Sequence, residues 1–137
     1  MEDSLMAFKR QEGFRFSFGE PLDANFVVLA DGKSRTAGDT KESCKVLDIS
    51  PHGMKVLTNV DLKKFEANTV QLEVYFYLDA TEIKALADVV WSKPFGANFQ
   101  YGLIFEKQPI VEELIIEELK IRRRKEINRT KAKNSGL

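Results

Sequence analysis

Asp48, Ser50 and His52 occupy alternate positions of Asp48-Ile49-Ser50-Pro51-His52-Gly53, which brings a carboxylate, a hydroxyl and an imidazole within five residues. Such a set suggests hydrolysis. A triad, however, needs nucleophile, base and orienting acid hydrogen-bonded in sequence, and three residues on one turn do not line up that way. Cys44 is the single cysteine and His52 the single histidine, too few for a Cys/His zinc site. No Gly-x-x-x-x-Gly-Lys-Ser/Thr loop is present to cradle phosphates. The set therefore reads as a non-catalytic polar site, and no enzyme, metal or cofactor is expected. A simpler role is also open to each residue. Asp48 and Ser50 can cap a turn by bonding nearby backbone donors, and Pro51 and Gly53 can serve the turn alone.

The element that must position these groups runs from Lys45 to Leu57 and reads as strand, tight turn, strand. Val46, Leu47 and Ile49 favour a pleated backbone, which Met54, Val56 and Leu57 resume. Between them Ser50-Pro51-His52-Gly53 fits a type I turn. Alternation predicts Asp48 and Ser50 on one face, with Leu47 and Ile49 on the other.

The rest of the chain repeats the pattern. Phe16-Ser17-Phe18 alternates, Gly19-Glu20-Pro21 interrupts with a break or bulge, and Asn25 to Leu29 resumes the strand. Residues 30–41 read as a solvated hairpin loop, and 59–68 as a charged connection with a helical turn around Leu62 and Phe65. Val70 to Phe76 and Thr81 to Trp91 alternate across a short Asp79-Ala80 link. Lys93 to Gly96 is expected to turn the chain into a last strand from Phe99 to Phe105. About six strands with turn punctuation predict a mainly β fold, a six-stranded antiparallel barrel whose closure removes exposed edges. Pro109 then opens a helix with an apolar stripe of Val111, Leu114, Ile115 and Leu119. Its glutamates lead and its basic residues follow, the order the helix dipole favours. The expected divisions are an N-terminal segment 1–9, a barrel 10–108, a helix 109–129 and a flexible tail 130–137.

At 137 residues, 43% apolar and 31% charged, the chain suits one soluble domain. No apolar run approaches the roughly 20 residues that cross a bilayer. The first residues lack the basic head and apolar body of a secretory signal, and one cysteine fits a reducing compartment, so a cytoplasmic location is expected. The formal charge of zero conceals a split. Residues 107–137 hold nine Lys/Arg against five Asp/Glu, and the first 106 carry the matching negative excess. Trp91, Phe99, Tyr101 and Phe105 could stack on single-stranded nucleic acid, but at alternate strand positions they read as core, on a domain whose acidity repels phosphate. Arg122 to Lys125 reads as a solvated helix end, so nucleic acid is not favoured as a partner. Ile116, Ile121 and Ile127 lie off the main stripe and leave a partner surface or helix pairing open.

Asp48-x-Ser50-x-x-Gly53 resembles the Asp/Asn-x-Ser-x-x-Gly signature of PilZ domains, bacterial modules that bind the second messenger cyclic di-GMP. The order of other elements is similar too, with Arg10 to Arg15 upstream, Gly102-Leu103-Ile104-Phe105 downstream and a terminal helix. The resemblance implies a PilZ-like barrel acting as a non-catalytic effector. Its ligand site would comprise Arg10, Gln11, Arg15, Asp48, Ser50 and Gly53, and ligand binding would change a surface read by a protein partner. The chemistry suits the ligand, since a guanidinium is always charged and matches phosphate or the O6/N7 edge of guanine bidentately. The chain departs from the family's Arg-x-x-x-Arg at one place. Gln11 stands four before Arg15, and Arg10 is one residue further away. In an extended segment that slip points Arg10 to the opposite face, whereas a bulge at Gly13 would restore it. The alternative is a degenerate PilZ interaction module that does not bind the nucleotide.

Overall fold

The structure, a computed structural model, describes residues 15–34 and 41–135, the last six by their backbone. Its strands are β1 (Phe16–Ala30), β2 (Lys33–Ser34), β3 (Glu42–Ser50), β4 (Gly53–Thr58), β5 (Val70–Tyr77), β6 (Glu82–Phe95) and β7 (Asn98–Phe105), followed by helix α1 (Pro109–Ser135). The sheet runs β2-β1-β3-β4-β7-β6-β5, all antiparallel, and β1 also pairs with β5. That last pairing closes six strands into a barrel and leaves β2 as a short flap on β1.

One long strand accomplishes the closure. The first part of β1 pairs only with β3, and from Asn25 onward it reaches β5 as well, with Phe26 facing both Glu42 and Val74. A strand can serve two neighbours that diverge only if it bends. The register shift between Ser17 and Leu22, at the expected Gly19-Glu20-Pro21 interruption, supplies the irregularity. Period-two alternation then fills the interior with Phe26 and Val28 from β1, Leu72, Val74 and Phe76 from β5, and Ile83, Ala85 and Ala87 from β6. Tyr101 is part of this wall and serves a polar purpose. Its hydroxyl donates to the Val60 carbonyl at 2.9 Å and accepts from the Leu62 N–H at 3.0 Å, fixing the one-turn 3-10 helix Leu62–Phe65 expected there.

Two boundaries differ from expectation. Strand β6 continues through Ser92-Lys93-Pro94 to Phe95, so the reversal falls at Gly96-Ala97. Gly96 has φ +61°, the left-handed conformation that tight two-residue hairpins use. Residues 92–97 are all exposed, and an unburied arm tolerates Pro94 in a strand. The helix likewise runs on to Ser135, past the expected 129. Trp91 also departs from the core reading. It is 43% exposed and lies against Gly102, where any Cβ would stand closer than 3.0 Å to the indole. Phe105 and Tyr101 are buried and Phe99 is half-buried.

Helix α1 lays Ile115 and Leu119 on the core and grips the β5–β6 loop with polar side chains at 118, 122 and 125, which share one face. Buried Glu118 accepts from the Thr81 N–H at 3.0 Å, Arg122 donates to the Leu78 carbonyl at 3.0 Å, and Lys125 pairs with Asp79 at 2.6 Å. The Arg122 guanidinium also sits over the Phe18 ring, 5.1 Å from its centre. The basic run is therefore only partly a solvated helix end. No helix among the described residues is long and apolar enough to cross a membrane.

Cys44 points inward from β3. Burial, with a smaller contribution from the Asp23 charge, pushes its thiol from 9.0 up to about 12. The folded state therefore keeps a proton that the unfolded chain releases near pH 9, so stability should fall as the solution is taken from about pH 9 toward 12. A thiol reagent such as DTNB should label the native protein at pH 8 only at the rate of opening. Prompt labelling without denaturant would contradict this burial.

Candidate ligand-binding site

The hairpin β3–β4 turns through Pro51 and His52, with Ser50 and Gly53 facing each other across it. Neither turn residue has positive φ, so the mirror-image hairpin turns are excluded, in keeping with the type I geometry expected of this tetrapeptide. Ser50 is buried, and its Oγ accepts the His52 backbone N–H at 3.2 Å, a local turn bond. The imidazole turns elsewhere, its Nδ1 lying 3.5 Å from Glu112 on α1. The Phe105 N–H donates to the His52 carbonyl at 2.8 Å, tying the turn to β7.

Gly53 is required by approach and not by conformation. A Cβ there would stand closer than 3.0 Å to the Leu103 carbonyl oxygen and 3.5 Å from the Ile104 Cα. The turn explanation for this glycine thus gives way to a steric one, set by β7.

The expected two-face alternation of β3 fails at Leu47. A bulge between Val46 and Asp48 sends Val46 and Ile49, three apart, both into the core and leaves Leu47 half-buried. Beyond the bulge Asp48 and Ser50 keep their common side. Asp48 is 6% exposed yet fully engaged. Arg15 Nη1 donates to its Oδ1 at 2.7 Å, and Lys55 Nζ lies 3.4 Å from its Oδ2.

Register explains why these three meet. Ser17 of β1 faces Asp48 of β3, which faces Lys55 of β4, and Arg15 lies two residues before Ser17, on the same side of the strand. One carboxylate between two cations leaves a net positive patch. The Arg15 side chain is 47% exposed, and Asp48 is its sole hydrogen-bond partner among the described residues. A guanidinium fork oriented by a buried acid suits an anion or the O6/N7 edge of guanine. Lys55 was not among the expected site residues, although a two-residue turn after Ser50 places residue 55 opposite residue 48 by counting alone. Arg10 and Gln11 lie outside the described residues. Two larger clefts, about 550 Å³ beside Cys44 and Tyr75 and about 530 Å³ beside Trp91 and Tyr101, contain none of Arg15, Asp48 or Ser50.

Comparison with solved structures gives the same fold. The PilZ domain of YcgR from Escherichia coli, solved with c-di-GMP, superposes with a TM-score of 0.55 at 15% identity, covering 84% of this chain and 95% of that one. Escherichia coli YcgR in complex with c-di-GMP gives 0.57 at 16%, covering 85% and 49%. The Bacillus subtilis inhibitor of motility, MotI/DgrA, gives 0.55 at 14%, covering 84% and 50%. The chain thus spans about half the length of those last two proteins. Comparison with curated protein sequences gives no significant match. The family model described as PilZ domain matches residues 9–121, most of the chain and all of the hairpin, barrel and helix start described above. The chain belongs to the PilZ domain family.

Proposed function

We propose that this protein is a cytoplasmic bacterial effector that binds cyclic di-GMP and, without catalysing a reaction, presents an altered surface to a protein partner. The observation that carries this reading is the 2.7 Å contact between Arg15, in the segment leading into the barrel, and Asp48 at the Ser50 bend. It brings a guanidinium from before β1 onto the hairpin of the Asp-x-Ser-x-x-Gly motif. The relatives of similar fold whose structures contain c-di-GMP support the choice of ligand. Residues 10–15 and 48–53 would bracket the dinucleotide. Binding shifts the protein toward whichever arrangement of that segment contacts the ligand better, which is how a small molecule alters a surface. Isothermal titration of the full chain tests it. Heat saturating at micromolar cyclic di-GMP is expected, and silence at high micromolar ligand overturns it.

A second reading, an interaction module that has lost the nucleotide, draws on Asp48 and Ser50 being buried with partners inside the fold. A silent titration of folded protein would favour it.

A further inference from the structure

Beside Arg15 a cleft of about 400 Å³ opens between the start of β1, the Pro51 turn and helix α1. Its walls include Phe16, Pro51 and Ile116, and its rim carries Arg15, Lys120 and Arg123, with no carboxylate among the lining residues. The volume lies within the roughly 300–1,000 Å³ of typical ligand sites. Lys120 and Arg123 are three residues apart and therefore neighbours on the helix surface. Both are exposed, and neither forms an ion pair with another described residue. Their neighbours contrast with them, since Arg122 and Lys125 are committed to the β5–β6 loop. Two cations with no ion pair among the described residues, on a half-apolar cleft that also holds a guanidinium fixed by Asp48, form a recognition surface for something anionic with a flat apolar part.

We propose that helix α1 is the second jaw of the nucleotide site, Lys120 and Arg123 holding a phosphate of cyclic di-GMP while Arg15 holds the hairpin side. This rests on the reading above and assigns to the helix the cationic contact that Gln11 does not provide. The ligand's two phosphates then face cations from both ends of the barrel sequence, and the position of α1 becomes part of the binding equilibrium.

Titration at about 0.15 M salt, where long-range charge effects are largely screened, separates the possibilities. Lys120→Gln with Arg123→Gln should weaken cyclic di-GMP binding about tenfold to a hundredfold, the loss expected of one or two charged hydrogen bonds. Lys107→Gln with Arg124→Gln, which removes the same charge from residues outside the cleft, should change affinity less than about twofold. Lys120→Arg with Arg123→Lys should recover most of the binding, and unchanged circular dichroism establishes that each variant is folded. Equal losses in the cleft and control pairs, or wild-type affinity in the cleft pair, overturn the role of the helix while leaving the Arg15 site intact. A wild-type protein that takes up no ligand overturns both.

Discussion

Alanine at Arg15 should weaken cyclic di-GMP binding by about ten- to more than a hundredfold, because a lost hydrogen bond to a charged group costs about 1.5–3 kcal/mol. The barrel should survive the change. The Arg15 side chain is about half exposed, so water already competes for its ion pair, and the contribution to stability is on the order of 1 kcal/mol or less. Asp48 would keep Lys55, at 3.4 Å. Asp48→Ala acts by a different route, leaving the guanidinium charge in place but removing the acceptor that aims it. If aiming is its whole contribution to the site, the double variant binds no more weakly than Arg15→Ala alone, a non-additivity that a double-mutant cycle reads directly. Isothermal titration of the three variants beside wild type makes the measurement. Wild-type affinity in Arg15→Ala would remove the guanidinium from the site.

Much of this architecture was legible in the sequence because a barrel wall imposes period two on every strand. Leu72, Val74 and Phe76, or Ile83, Ala85 and Ala87, announce their face without reference to anything else. The Ser50-Pro51-His52-Gly53 reversal and the Ile115/Leu119 stripe are local in the same sense. What escaped depends on contacts between distant segments. The bulge at Leu47 follows from Val46 and Ile49 both being needed in the core, which no local periodicity reports. Glu118, Arg122 and Lys125 look like ordinary helix-surface charges until the β5–β6 loop, some 40 residues earlier, is set beside them. Trp91 reads as core by alternation. A register shift beside it and the absence of a side chain on Gly102 instead let the indole lie on the outer wall. At the site, the resemblance put Arg15 and the Asp48–Ser50 bend on one patch of barrel wall but did not give their direct ion pair, since chain order alone cannot tell that β1 pairs with β3 in the register that sets them side by side.

Gly53→Ala should destabilise the protein by about 1–3 kcal/mol, the range for forcing extra atoms into a well-packed place, and a larger side chain should cost more. The obstacle is the Leu103 carbonyl of the neighbouring strand, which has no rotamer by which to withdraw. Relief requires β4 and β7 to part where Gly53 faces Ile104, lengthening the adjacent 2.8 Å bond from the Phe105 N–H to the His52 carbonyl. Gly102→Ala provides the contrast. There the added methyl meets an exposed indole that can swing aside, so the cost should be smaller and the single tryptophan should report the move by its emission. Urea unfolding of both variants decides the matter, and a loss at Gly53 no greater than at Gly102 would mean that the two strands yield freely. The difference bears on how motif variants are read. Because Ser50 is the residue facing Gly53 across the turn, a strand displaced at 53 also moves the hydroxyl at 50. Weakened ligand binding in a Gly53 variant would therefore reflect a deformed hairpin, whereas the same loss in folded Arg15→Ala would reflect a missing contact.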